Sequence, residues 1–255
     1  MIRALWSGFA IHFKMLSRSG FELSGVTVWP LVYTTLGYFM YSAGGKDPAT
    51  LFYVSLGSTM MAIWSMIGVE SGGAIQRQRR HQVLELLVAA PQPFWVVLLP
   101  IMLAATAMGI YAFAGTIAFG RLVFGIPVTV EHPLLFAVAL PVAIVSISML
   151  GLVFASVLVR YRQAQMLTNS LEYPVWLLAG MLMPLSLLPG WVHPISWILA
   201  PMWGMRAVRD AALGGPALPA IGMCVALSAA YAAIALLALA NFERLARRRA
   251  TLSLT

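Results

Sequence analysis

Few groups in this chain are equipped for chemistry, and the most telling is a carboxylate. Glu172 follows Thr168, Asn169 and Ser170, so a short polar face opens an otherwise apolar run. An acid inside a lipid-spanning helix costs roughly 2.5–3.5 kcal/mol at the bilayer centre, and such acids face a bundle interior or water. Glu172 lies only about two helical turns into the run, where that cost is smaller and its side chain reaches toward the interface. Two readings stand. Either Glu172, with its neighbours Thr168 and Asn169, has a functional role, or it pairs structurally with a cytoplasmic arginine. A second polar pattern precedes it: Ser55, Ser58, Thr59, Ala62 and Ser65, of which positions 55, 58, 62 and 65 share one helical stripe. Small hydroxyl residues on a stripe suit close helix packing in lipid; the same stripe suits the lining of a pathway.

The third constellation is basic. Residues 75–93 read IQRQRRHQVLELLVAAPQP, with Arg77, Arg79 and Arg80 followed by Glu85, Leu86 and Leu87 and closed by Pro91 and Pro93. Its start is too polar to span and its end too apolar for a plain loop. The pattern predicts a short amphipathic helix that proline terminates. Such a helix between two spans either transmits force from a soluble partner or anchors the topology by its charge.

Other chemistries are missing from the sequence. Gly45-Lys46 is followed by Asp47 and lacks the earlier glycine, so there is no G-x-x-x-x-G-K-S/T phosphate loop. The histidines stand apart, at His12, His81, His132 and His193, with no H-E-x-x-H motif and no cysteine cluster for a metal. No serine has an evident His and Asp constellation. The single cysteine, Cys224, permits no intrachain disulfide. The expectation is a chain that is not an enzyme, with no catalytic residue, cofactor or metal of its own.

The elements that position these groups follow from composition. Of 255 residues, 61% are hydrophobic and 9% charged, against about 25% charged in soluble domains, and mean hydropathy is +0.87. So few charges cannot cover a water-facing surface, and the expected class is an all-α membrane protein forming a single domain over residues 1–255. Six runs are long enough to cross, at about 20 residues each: residues 21–43, 50–69, 94–119, 133–159, 166–188 and 217–242. Ahead of them, Ile2, Leu5, Trp6, Phe9, Phe13 and Leu16 recur at helical spacing, and Arg3, Lys14 and Arg18 fill other faces. This predicts an interfacial helix over residues 1–20. No cleavable signal peptide is expected there, since a continuous apolar core and a small-residue cleavage site are lacking.

Orientation comes from the cations. Arg3, Lys14, Arg18, Arg77, Arg79, Arg80, Arg160, Arg162, Arg244, Arg247, Arg248 and Arg249 fall on one side; Lys46, Arg121, Arg206 and Arg209 fall on the other. Cytoplasmic loops collect Lys and Arg, so both termini are placed inside. The net charge of +8 is thereby read as a topology signal and not as a nucleic-acid surface. Between the fifth and sixth runs, Pro184, Pro189, Pro194 and Pro201 interrupt the chain among Trp191, Trp197 and Trp203. This predicts short helices that dip into the outer leaflet and return, with non-helical backbone buried in protein or beside water.

Two segments together resemble the type-2 ABC exporter permeases. The stretch from Arg79 to Leu87, closing at Pro91, is similar to a charged run followed by T-L-E-x-L and proline, with His81-Gln82-Val83 where a Gly-Thr pair is common. The stretch from Gly180 to Arg209 resembles G-x-x-x-P, L-P-x-W and P-x-x-Y/W ending in arginine, matched at Gly180, Pro184, Leu188, Pro189, Trp191, Pro201, Trp203 and Arg209; the last interval is one residue short. The six-span plan extends the resemblance over nearly the whole chain. It implies a permease dimer, of like or unlike subunits, in a bacterial plasma (inner) membrane. Each subunit would be joined to a separate cytoplasmic ABC ATPase that holds ATP and Mg. It makes residues 75–91 a coupling helix touching that ATPase through Arg77, Arg79, Arg80, Glu85, Leu86, Leu87 and Pro91. It makes the first, second and fifth spans the dimer seam and substrate route, with Ser55, Ser58, Thr59, Ser65, Thr168, Asn169, Glu172 and Trp176 along it, and Pro184, Pro189, Trp191, Pro201, Trp203 and Arg209 part of an external re-entrant cap. Family substrates are drugs, lipids, lipid-linked glycans and peptides. The rival functions are an ion- or proton-coupled carrier acting without an ATPase, which requires intramembrane acids, and a membrane-embedded enzyme.

Overall fold

The computed structural model describes residues 2–42, 47–80, 92–158 and 164–249, and the regular structure among them is helical. The elements are α1 (Ile2–Arg18), α2 (Gly20–Ser42), α3 (Pro48–Arg80), α4 (Trp95–Phe124), α5 (Pro133–Leu158), α6 (Ala164–Ser170), α7 (Glu172–Leu178), two 3-10 turns (Leu185–Leu187 and Gly190–Val192), α8 (His193–Ile198), α9 (Ala200–Leu213) and α10 (Ala217–Arg249). Four described helices are long and apolar enough to cross a membrane, within α3, α4, α5 and α10. With that many apolar helices the chain is a multi-pass membrane protein.

α3 is the axle. It starts at Asp47-Pro48, where the Asp47 carboxylate accepts from the Thr50 hydroxyl at 2.7 Å and the Thr50 N–H at 3.0 Å. That is an N-cap followed by proline at N1, where the missing N–H removes no helix bond. The Thr50 hydroxyl, then the Thr50 N–H, holds the Asp47 carboxyl below its usual value. Leu56, Met60, Ile63 and Ile67 are then fully enclosed. Of α3's most apolar window 83% is buried, against 22% for α10. α3 is therefore surrounded by protein, while α10 presents most of its surface outward.

Around this axle α2 and α4 pack on α3, α5 packs on α9 and α10, and α1 lies across α4. α1 docks through Phe9, Phe13 and Leu16, with Phe13 set 6.1 Å from the Tyr111 ring. Its other apolar edge, Ile2, Trp6 and Ile11, stays exposed. A smaller cluster joins Phe94, Leu98 and Met102 of the α4 start to Leu239 and Phe242 of α10. The Glu243 carboxylate accepts from the Phe94 N–H at 3.4 Å, so the start of α4 and the basic end of α10 lie together. At the opposite end, the N–H groups of Glu131 and His132 donate to the carbonyls of Ala212 and Ala211.

Three features differ from the sequence reading. The 166–188 run is not one helix: α6 stops at Ser170, and α7 begins at Glu172 and ends at Leu178. Pro174 explains the first break, because it cannot donate to the Ser170 carbonyl and its ring crowds that oxygen; Leu171 N–H turns back to Thr168 instead, at 3.1 Å. Secondly, the second run does not close at Glu70. α3 continues through Gly72-Gly73 to Arg80; each glycine costs about 1 kcal/mol of helix propensity, and burial of Ser71 up to Gly73 against neighbours offsets it. Thirdly, α2 is helical over 23 residues but is not among the helices apolar enough to cross. Its Trp29, Tyr33, Thr34, Thr35, Tyr38 and Tyr41 dilute the run. Thr34 is nevertheless buried, its hydroxyl donating to the Pro30 carbonyl at 2.8 Å.

The proline-broken segment is a series of 3-10 turns and short helices. Pro184 and Pro189 precede the two 3-10 turns, and Pro194 and Pro201 stand in the first turns of α8 and α9. Each occupies a position whose N–H a helix does not use.

Candidate functional site

The polar residues of α3 divide into two groups. Ser55, Ser58 and Thr59 are buried and donate to the carbonyls four residues back, at 3.2, 2.9 and 3.1 Å. A β-carbon built on Gly37 of α2 would meet Val54 and Ser58, and one on Gly120 of α4 would meet Ser55 at 3.3 Å. These hydroxyls thus sit where α2 and α4 approach α3 closely, as small residues do in lipid. Ser65 differs. Besides donating to Met61 at 2.9 Å, its hydroxyl meets the Glu172 carboxylate across 107 positions of chain.

Glu172 opens α7, where a carboxylate also complements the helix dipole. One turn on, Trp176 is 6% exposed. Its ring lies edge-on to Tyr33 and to Tyr173, each at 5.0 Å, and Tyr33 stacks on Trp29 at 5.9 Å. Among the described residues, the buried Trp176 Nε1 has no hydrogen-bond partner. Trp29 and Tyr173 are exposed. A carboxylate, a hydroxyl and four aromatic rings from α2, α3 and α7 therefore form one amphipathic surface. Thr168 is buried close by in sequence and Asn169 is exposed on α6.

The end of α7 is fixed by backbone chemistry. Gly180 takes φ +68°; its N–H donates to the Leu177 carbonyl, and the Met181 N–H donates to the Trp176 carbonyl, both at 3.1 Å. This is a Schellman ending, which favours glycine. The turn docks on α3: the Tyr53 hydroxyl donates to the Gly180 carbonyl. One turn along, a β-carbon on Gly57 would fall 2.1 Å from the Met181 carbonyl oxygen. The Tyr41 hydroxyl adds a bond to the Leu182 carbonyl at 3.0 Å.

Beyond the turn lies a charged cluster. Asp210 is buried and faces Arg206 at 3.5 Å and Arg209 at 3.1 Å. Arg206 lies over the Trp203 ring at 5.6 Å and Arg209 over the Tyr53 ring at 6.0 Å. Trp203 is itself buried, its Nε1–H donating to the Trp197 carbonyl at 2.8 Å, whereas Trp191 is 71% exposed.

The sequence-predicted residues are thus only partly brought together. Ser65, Glu172 and Trp176 share a surface; Ser55, Ser58 and Thr59 lie in packing contacts further along α3. Pro184, Trp203 and Arg209 surround the charged cluster, and Pro189 and Trp191 lie on the exposed rim. Arg77, Arg79 and Arg80 belong to the last turns of α3; Glu85, Leu86, Leu87 and Pro91 lie outside the described residues. Sequence reasoning missed the tyrosines. Tyr41, Tyr53 and Tyr231 each cap a backbone carbonyl of the proline-rich segment, at Leu182, Gly180 and Ile198. A hydroxyl inside an apolar run was the available signal, since a buried tyrosine O–H seeks an acceptor. Glu70, read only as the end of a span, is fully buried in α3.

Among curated proteins, none matches this chain. A family model described as ABC-2 type transporter matches residues 5–213, from α1 to the end of α9. The match takes in the interfacial pattern, the helical bundle and the broken segment after α7, and the chain belongs to the ABC-2 type transporter family, as a permease embedded in the membrane.

Proposed function

We propose that this permease is the membrane subunit of an ATP-driven exporter that moves an amphipathic solute, lipid-like, drug-like or glycan-bearing, out of the cytoplasm. In this reading the chain crosses six times, by α2, α3, α4, α5, the α6–α7 pair with the residues that follow, and α10. Both termini face the cytoplasm of a bacterium, α1 lies in the inner interface, and residues 184–209 form an external re-entrant cap. ATP and Mg bind a separate ATPase subunit, and a second permease subunit packs against α2 and α7. Their exposed Val28, Trp29, Leu36, Phe39 and Tyr173 support that seam. The Glu172 surface then lies on the route between subunits.

One observation carries the reading. α3 is a single helix of 33 residues, about 50 Å long at 1.5 Å per residue, while a bilayer core is about 30 Å thick. It begins at a cap beside Asp47 and ends in Arg77, Arg79 and Arg80. A buried axle that leaves the membrane as a basic rod is suited to receive force from a soluble motor and pass it to the core. The charge-reversed Arg79→Glu, Arg80→Glu double variant should insert normally yet lose stimulation of the partner's ATP hydrolysis by solute, measured in reconstituted vesicles. Undiminished coupled transport in that variant would remove the role.

A further inference from the structure

A cavity of about 440 Å³ lies between the start of α3, the Gly180 turn, α8 and α9, in the size range of small-ligand pockets. One part of its wall is apolar, including Leu185, Trp197, Met202 and Met205; the other carries His193, Arg206 and Arg209. Among the described residues, no acid lines it. Asp210 stands behind the two arginines, and one carboxylate cannot neutralise two guanidinium groups. Each guanidinium carries five N–H donors in a fixed fork, and those not turned to Asp210 remain for another acceptor. The Trp203 and Tyr53 rings hold the two groups apart. His193 Nε2 is 3.2 Å from the Leu185 carbonyl, which secures the 3-10 turn on the far wall.

We infer that this cavity binds the anionic headgroup of an amphiphile, a phosphate or carboxylate held by Arg206 and Arg209, with the apolar chain against Trp197 and the methionines. Forked donors match such anions in two-point contact, which lysine does not reproduce. The net positive lining disfavours a headgroup that carries its own cation. The site needs neither nucleotide nor partner, so it stands or falls apart from the export reading.

The test uses the full-length chain in maltoside detergent and phosphatidylglycerol with brominated acyl chains, which quench nearby tryptophan fluorescence. Saturable quenching is expected, with the responsive component absent in Trp197→Phe. Arg206→Gln and Arg209→Gln should each weaken binding about tenfold, the scale of one charge-assisted hydrogen bond. The Arg206 side chain is 45% exposed, so that variant tests the site without disturbing the core, and Arg206→Lys should recover only part of the loss. Brominated phosphatidylcholine, which adds a choline cation, should bind more weakly. Inorganic phosphate serves as competitor: displacement of the lipid assigns recognition to the anion alone, and failure to displace it assigns recognition to the whole amphiphile. Either supports the site. Equal quenching by the two lipids, or unchanged binding in Arg206→Gln, overturns it.

Discussion

Single hydrogen bonds decide how this molecule keeps polar groups inside an apolar bundle. Ser65 and Glu172 come from helices far apart in sequence, and neither position announces the other. Removal of the hydroxyl leaves a half-buried carboxylate short of a donor, a loss of about 1–3 kcal/mol. Ser65→Ala is therefore expected to lower the unfolding temperature in detergent. A double-mutant cycle with Glu172→Gln should show a coupling of about 0.5–3 kcal/mol, and strict additivity would mean that the contact does not form. Asp47 gives a pH-dependent case. Its carboxyl is held below the usual 3.8 by Thr50. A lowered folded-state value means that the cap stabilises fully above the unfolded value, and that this contribution is lost as pH falls through the lowered one. Asp47→Asn keeps the acceptor without the charge. It should flatten the acid limb of a thermal-stability profile taken from pH 7 down to about 3.

Helices and turns set where those residues stand. The apolar runs at 94–119, 133–159 and 217–242 were legible because each is nearly continuous, and their helices begin within a residue of the expected starts. The fifth run was misread because hydropathy is blind to a missing N–H: Pro174 is apolar and yet ends α6. The reach of α3 past Gly72-Gly73 was hidden for the opposite reason, since intrinsic glycine propensity is outweighed by burial that a sequence does not display. Likewise the stripe of Ser55, Ser58 and Ser65 showed which residues share a face without showing that Ser65 alone meets a carboxylate. Gly57 tests the docking of the Gly180 turn. A β-carbon there overlaps the Met181 carbonyl, and overpacking of this kind costs about 1–3 kcal/mol. Gly57→Ala should lower stability and break the Tyr53 contact, seen as faster proteolysis within the 180–192 segment. A variant as resistant as the parent would show that the turn is not seated there.

At the scale of the whole molecule, charge and helix length point the same way. The start of α4 and the basic end of α10 meet at Phe94, Phe242 and Glu243, which makes one end of the bundle basic, and α3 itself closes in Arg77, Arg79 and Arg80. The proline-rich segment and the 131–132 turn gather at the other. The proposed export cycle needs that polarity, because a basic rod reaches an ATPase only if it emerges on the cytoplasmic face. The one cysteine, Cys224, is buried, which makes site-specific labelling simple. In a Cys224→Ala background, Gln78→Cys should react with a membrane-impermeant maleimide in inverted vesicles and stay unlabelled in intact spheroplasts. Labelling of Gln78→Cys from the outside would contradict the account, since the motor-facing end of α3 would then point away from ATP.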